Sequence, residues 1–379
     1  MSPHRLAYAA AATLIAIGIG LAALLFWREA EPQIDEALRR QIGQMLMMGF
    51  VGTSPADSWP RRLVEQIAEG SVGGVLILGR NVSTLDDLRA MNRAFLEASP
   101  DNPPLIAIDQ EGGRIQRLRS TVGFPETPSA AMLGRYADPE TALELYRTMA
   151  EALAELGFNV NFGPVVDLDV QPANPIISEL QRAYAADPDT VVAFARSFVK
   201  AHRAAGILTS LKHFPGHGST LLDSHLQLPD ISATWREEEL APYRALLAKN
   251  LADTIMVGHL VLDREGATTG LPATLSPTLV EGLLRGELGY EGVAISDDME
   301  MGAIAGERDV TAAVLMAIRA GLDLLIVSNF QARDPELPER LIRAVAAAAM
   351  QDEELRARIA ESATRIEALK RDLTQAGPS

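Results

Sequence analysis

Short apolar, β-branched runs alternate along the chain with longer stretches of helical periodicity. The apolar runs are Met45–Phe50, Gly74–Leu78, Leu105–Ile108, Val160–Val166, Ile207–Leu211, Ile255–Leu260, Val293–Ile295 and Asp323–Val327. Flanked by polar or glycine-rich loops, they predict eight strands. Between them, Ser83–Ala98, Pro139–Leu156 and Thr190–Ala205 carry apolar residues at helical spacing. Each opens on a residue suited to a helix start, with Ser83 and Thr190 as caps and Pro139 in the first turn. Strands alternating with helices over roughly 345 residues predict parallel β/α units, and eight of them predict a closed (β/α)₈ TIM-type barrel of the α/β class. An open doubly wound sheet would want a glycine-rich nucleotide turn after its first strand. Gly49-Phe50-Val51-Gly52 lacks the spacing, the third glycine and the acidic ribose partner. The stretch Leu337–Leu373, rich in alanine, arginine and glutamate, is expected to form a helix broken near Asp352 and packed as a cap.

Ahead of the barrel lies an apolar run, Leu6–Trp27, interrupted only by Thr13 and two glycines. Its length of about 22 residues suits a helix that crosses a bilayer, and exceeds the apolar core of a signal peptide. Trp27 stands where an interfacial anchor is expected. His4 and Arg5 precede the run, while Glu29 and Glu31 follow Arg28, which favours a cytoplasmic N-terminus. The expected organisation is a cytoplasmic tip and transmembrane anchor over residues 1–33 and a barrel with C-terminal helices over residues 34–379. The membrane is engaged through residues 6–27, as a single pass through an inner membrane, with the barrel on the periplasmic or extracellular side. A cleaved signal peptide is the alternative.

Composition narrows the chemistry. The 379 residues hold 34 basic and 50 acidic side chains, a formal net charge of −16, which argues against a nucleic-acid partner. The absence of cysteine excludes disulfides, thiolate metal sites and a thiol nucleophile. Polar clusters instead follow the apolar runs, at the strand ends where a barrel keeps its active site. Leu105–Ile108 leads into Asp109-Gln110-Glu111-Gly112-Gly113-Arg114-Ile115-Gln116-Arg117. Carboxylates and arginines around a glycine pair suit hydroxyl recognition through charge-assisted hydrogen bonds, or a solvated loop of internal ion pairs.

Lys212-His213-Phe214-Pro215-Gly216-His217-Gly218 and Asp223-Ser224-His225 are the richest segment. A zinc site is one reading of its histidines, but Pro215, Gly216 and Gly218 oppose a helix that would put His213 and His217 on one face. Asp223 and His225, two apart, fall on one side of an extended chain, where the carboxylate can orient the imidazole and raise its basicity for acid/base work. Val293–Ile295 leads into Ser296-Asp297-Asp298-Met299-Glu300. A carboxylate directly after a buried strand can be held rigidly as a nucleophile, or can cap the next helix, for which Asp298 is the better placed. No nucleophile-elbow serine and no phosphate loop occur.

In these segments the chain resembles the β-N-acetylhexosaminidases of glycoside hydrolase family 3, specifically the compact bacterial type that trims N-acetylglucosamine from peptidoglycan fragments. Lys212–His225 and Ser296-Asp297-Asp298 are the specific signatures. Gly43-Gln44-Met45-Leu46-Met47-Met48-Gly49-Phe50, Gly73-Gly74-Val75 and Gly79-Arg80-Asn81 support them. The resemblance implies a barrel, a retaining mechanism on an N-acetylglucosamine-containing glycoside, and no metal or cofactor. It implies Asp297 as the nucleophile, His225 as the acid/base and Asp223 as its partner. Asp109, Arg117, Arg182, Lys212 and His213 would hold the sugar. A histidine here replaces the second carboxylate of most retaining glycosidases, on a glycine-containing loop suited to closing over sugar. An imidazole also tolerates an anionic acceptor, so phosphorolysis is an alternative, as is β-glucosidase activity. From other classes, a metal-dependent hydrolase and a membrane-anchored, non-catalytic sugar-binding protein are the rivals.

Overall fold

The structure, a computed structural model, describes residues 34–264, 270–306 and 308–375. The apolar run Leu6–Trp27 lies outside these residues. Among the described residues, no helix is long and apolar enough to cross a membrane.

Eight strands form one parallel ring: β1 (Leu46–Met48), β2 (Gly74–Ile77), β3 (Leu105–Ile108), β4 (Val160–Asn161), β5 (Leu208–Phe214), β6 (Thr254–Val257), β7 (Val293–Ser296) and β8 (Leu325–Val327). Each pairs with the next in sequence, and β1 pairs with β8 in the register Leu46 with Leu325. The last seam, between β7 and β8, is a single bridge, Ile295 with Leu324, plus the bond from Ser296 N to the Leu324 carbonyl at 2.9 Å. The result is a nearly closed (β/α)₈ barrel of the expected TIM type. Every strand residue is buried, because the interior covers one face and helices cover the other. That is why the strands read as apolar runs with no alternation.

The helices wrap the outside by the same logic. Pro139–Glu155 buries Ala142, Tyr146, Met149, Ala150 and Leu153, a stripe at helical spacing. It packs on Pro188–Ala204, where Phe198 meets the Tyr146 ring edge-to-face at 4.8 Å. The caps differ from expectation by one to three residues. Thr84, not Ser83, accepts the first-turn N–H of Leu85–Ala98, and Asp187, not Thr190, caps Pro188–Ala204. In both cases the side chain that caps is the one left outside the helix with extended backbone. The tail forms Leu337–Ala349 and Glu353–Gln375, broken around Asp352 as expected.

Two strand boundaries bear on the mouth. β4 ends at Asn161, although the apolar run continues to Val166, because Pro164 has no N–H to give the ladder. Pairing resumes as a bridge of Val165 with Lys212. β5 conversely runs past Leu211 through Lys212 and His213, held by bonds from Lys212 N to the Pro164 carbonyl and from Val166 N to the Lys212 carbonyl. Leu211 pairs with Ile255 and Phe214 with Val257, so the polar dipeptide sits on an irregularity with an extra residue. Such a bulge re-aims side chains at a barrel rim.

Candidate active site

Because all strands are parallel, every residue just past a strand's C-terminal end meets the others on one rim. A cavity of about 210 Å³ opens there, walled by Asp109, Arg117, His225, Asp297 and Asp298 and floored by Phe162 and Met256.

Behind its wall runs a ladder of alternating charge. Asp109 accepts from Arg117 Nη2 at 3.0 Å and from Lys212 Nζ at 2.8 Å. The same ammonium lies 2.7 Å from Glu111, whose two oxygens take Nε and Nη2 of Arg182 at 2.9 and 2.7 Å. Arg182 Nη2 next reaches His213 Nε2 at 3.3 Å, and His213 Nδ1 pairs with Asp167 at 2.8 Å. A guanidinium can only donate, so Nε2 accepts and the proton on Nδ1 goes to Asp167. Lys212 is 1% exposed, and only a carboxylate on each side makes such burial tolerable. Burial raises the pKa values of Asp109 and Glu111. The cations outweigh it, Lys212 and Arg117 for Asp109 and Arg182 and Lys212 for Glu111, and hold both below the usual carboxylate range. Of the five residues expected to hold the sugar, Asp109 and Arg117 wall the cavity, while Lys212, Arg182 and His213 stand behind them and fix their charge and position.

His225 arrives on a loop with a fastened base. Gly216 has φ +124°, and a Cβ there would lie 2.7 Å from the Glu239 side chain. A Cβ on Gly218 would lie 2.0 Å from the Leu168 carbonyl, so only glycine lets the turn seat. Asn174 Nδ2 donates to the carbonyls of His217 and Gly218 at 2.7 and 3.0 Å, and Glu239 accepts the Gly218 N–H at 3.1 Å. Burial pushes the Glu239 carboxyl up to about 7. Beyond this base the tip is open, with Leu221, Leu226 and His225 exposed. Asp223 and His225 do pair, at 2.8 Å from Oδ1 to Nδ1, but through a turn where extended chain was expected. Asp223 also accepts the backbone N–H of His225, and its carbonyl accepts that of Leu226. The carboxylate thereby fixes the proton on Nδ1 and leaves Nε2 as the atom that can exchange one.

Asp297 and Asp298 follow β7 and are held differently. Asp297 accepts the N–H of Asp298 at 2.8 Å. Burial would raise its pKa, but the His259 and His213 rings and that N–H outweigh it and keep the carboxyl below its ordinary value. Burial pushes Asp298 up to about 6, against bonds from Ser328 and Glu300. Of these two adjacent carboxylates, driven in opposite directions, Asp297 is the one that ionises at the lower pH. Asp298 does not cap a helix, since the next one, Gly302–Ala305, starts later; its Oδ1 instead ties β7 to β8 through Ser328 N. His259 steadies the turn from below, Nε2 donating to the Asp298 carbonyl at 2.9 Å while Nδ1 accepts from Thr274 at 2.8 Å.

The three histidines of the Lys212–His225 segment take three different partners: Asp167 for His213, Ser224 for His217 and Asp223 for His225. Asp167 and His259 are site residues that pattern reading left out, and Glu111 was read there only as a member of the Asp109–Arg117 cluster. Asp167 directly follows the run Val160–Val166, so the strand-end rule that found Asp109 and Asp297 would have found it too, whereas His259 falls inside the run Ile255–Leu260.

Against known proteins, the family profile "Glycosyl hydrolase family 3 N terminal domain" matches residues 37–369. A beta-hexosaminidase of Xylella fastidiosa is 36% identical over 311 residues, 80% of this chain and 87% of that protein. One from Alkalilimnicola ehrlichii is 38% identical over 293 residues, 75% and 80% of the two chains. Among solved structures, a glycoside hydrolase family 3 beta-N-acetylglucosaminidase from a Paenibacillus species superposes with TM-score 0.79 at 34% identity. It covers 89% of this chain, which spans 62% of that longer one. A beta-N-acetylhexosaminidase from Beutenbergia cavernae gives TM-score 0.78 at 29% identity, over 89% of this chain and 99% of that one.

Proposed function

The chain belongs to glycosyl hydrolase family 3 and is a glycoside hydrolase, and from that premise we propose that it is a retaining β-N-acetylhexosaminidase that removes terminal β-linked N-acetylglucosamine. The observation that carries this reading is that Asp297, held ionised, and His225, held in one tautomer by Asp223, wall the same small cavity as the Asp109–Arg117 pair. Similar proteins that bear hexosaminidase names support the choice of sugar.

The chemistry follows from those positions. Asp109 and Arg117 present an acceptor and donors to sugar hydroxyls, their geometry fixed by Lys212 and the ladder behind it. Protonated at both nitrogens, His225 gives its Nε2 proton to the glycosidic oxygen as Asp297 attacks the anomeric carbon. The carbon–oxygen bond breaks, the aglycone leaves as an alcohol and a glycosyl ester of Asp297 remains. His225, now neutral, takes a proton from water as the water attacks the same carbon and releases Asp297. Asp223 stabilises the imidazolium in the first step and keeps Nε2 as the reacting atom in both.

The test is turnover of a chromogenic β-N-acetylglucosaminide, with a fluorinated sugar to trap the ester. A peptide carrying the label at Asp297 is expected; a label on any other residue overturns the assignment.

For the natural substrate, the reading is peptidoglycan fragments, met outside the cytoplasm by a barrel tethered through residues 6–27. The apolar run and its flanking charges support the tether. Fractionation with protease on spheroplasts tests it: a full-length, membrane-bound protein cut in intact spheroplasts is expected. A soluble product that begins after Trp27, or protection from protease, would refute it.

A further inference from the structure

Asp297 and His225 wall one cavity but come from different strand ends, Asp297 from β7 and His225 from the loop after β5, with β6 between them. Their separation therefore depends on what joins the two segments. The turn after β7 is braced on both sides. Asp297 N donates to the Val257 carbonyl of β6, and Met299 N to the Ile326 carbonyl of β8, each at 2.9 Å. Ser328 N donates to Asp298 Oδ1 at 2.9 Å, and Met301 N closes the turn on the Asp298 carbonyl at 2.9 Å.

The next two N–H groups reach across to the loop of the proton donor. Gly302 N donates to the His225 carbonyl at 3.1 Å and Ala303 N to the Ser224 carbonyl at 3.3 Å. These N–H groups open the helix Gly302–Ala305, where the first turn offers them no acceptor of its own. The loop is thus fastened twice, by Asn174 and Glu239 at its base and by residues 302–303 at its tip. The His225 backbone is held while its ring stays exposed.

Gly302 suits this contact by size, since its φ lies outside the left-handed region and its conformation does not call for glycine. A Cβ there would lie 2.6 Å from the His225 carbonyl oxygen and 2.9 Å from that of Leu226. Both are backbone atoms with no flexible end to swing aside, so a side chain at 302 must push the loop away from the turn.

We propose that Gly302 and Ala303 are positioning residues for the proton donor. They dock the His225 loop on the rigid turn that carries Asp297, and the missing side chain at 302 lets the two approach closely enough to act on one anomeric centre. This rests on the glycosidase reading above.

The experiment compares two β-N-acetylglucosaminides, a disaccharide whose leaving group must be protonated and a dinitrophenyl glycoside whose leaving group need not be. In Gly302→Ala, kcat/KM for the disaccharide should fall by about 10²-fold, the scale of a misplaced catalytic group, while that for the dinitrophenyl glycoside stays within about threefold of wild type. Its kcat should fall, because water now attacks the glycosyl ester without a placed base. Azide, which needs no base, should restore it as its nitrogen bonds to the anomeric carbon and the Asp297 carboxylate leaves, giving the glycosyl azide. Ala303→Pro removes one donor at a position where a helix accepts proline, and should shift both substrates the same way by a smaller factor. In the wild type, hydrogen exchange at the Gly302 and Ala303 amides should be slow. Exchange there as fast as at an exposed amide overturns the docking whether or not a variant folds. Equal losses on both substrates in a folded Gly302→Ala, or a disaccharide kcat/KM within about twofold of wild type, overturn the positioning role. A wild type that cleaves neither substrate overturns the glycosidase reading instead.

Discussion

Two buried charge clusters sit at opposite ends of this barrel, and they do different things. At the bottom, Asp323 precedes β8 and is fully enclosed. Its Oδ2 takes Arg285 at 2.7 Å and the Ala294 N–H at 2.9 Å. Its Oδ1 takes Arg358, Ser362 at 2.8 Å and Arg365 at 3.2 Å. Three cations and a strand N–H saturate one carboxylate, and the long C-terminal helix is thereby stitched to the barrel. At the mouth, the ladder from Asp167 to Arg117 is just as alternating in sign, but its last members retain capacity. The side chains of Asp109 and Arg117 are 18% and 30% exposed toward a cavity, and that of His225 is 60% exposed. Buried charge therefore does not mark a functional site. What marks it is hydrogen-bonding capacity left over where a ligand can reach it.

Mutations at the two ends should separate along that line. The largest effect is expected from Asp297→Ala, which should lower turnover by about 10⁴-fold or more with little change in thermal stability. Retained activity would break the comparison at its functional end. Removing His225 or Asp223 singly should slow turnover by roughly 10²–10⁴-fold, and the double variant should be little worse than the poorer single one. Fully additive losses would mean that the two do not act as a unit.

Asp323→Ala should do the reverse. It strands three guanidiniums and should cost about 3–5 kcal/mol in urea unfolding, while kcat/KM per folded molecule stays at the wild-type value. A specific loss of catalysis would show that the bottom cluster reaches the mouth. The smallest effect concerns Lys370, also at the bottom, whose Nζ has the neutral amide of Gln44 for a partner at 2.6 Å. Burial pushes its pKa down from 10.5 to about 7. Between those values the unfolded chain holds a proton that the folded one does not, so stability must rise with pH across that window. From pH 7 to 9 the wild type should gain about 2 kcal/mol over Lys370→Met. Parallel pH profiles for the two proteins would show that the amine is not desolvated as its burial implies.

Much of this was legible without coordinates. The eight apolar runs place eight strands, and the polar residues that close them place Asp109, Lys212, His213 and Asp297 on one rim, since parallel strands share a C-terminal end. The Asp223–His225 pair was legible too, because its partners are two residues apart. The ends of β4 and β5 were less so. There Pro164 breaks one ladder and the Pro164 and Lys212 backbones carry the other past its apolar run, a matter of which donors neighbouring strands offer.

What the sequence determined by itself is whatever depends on near neighbours: strand and helix periods, burial of both strand faces, and helix starts to within one to three residues. Tertiary structure alone decided the pairing of charges far apart in the chain. Arg182 finds Glu111 across 71 positions, and Asp167 finds His213 across 46. It likewise decided that Asp297 is ionised while Asp298 is pushed toward its protonated form. The physical reason is desolvation. A charge on a strand end has no preferred partner until packing strips its water, and only then does the geometry of the closed barrel dictate which opposite charge must meet it.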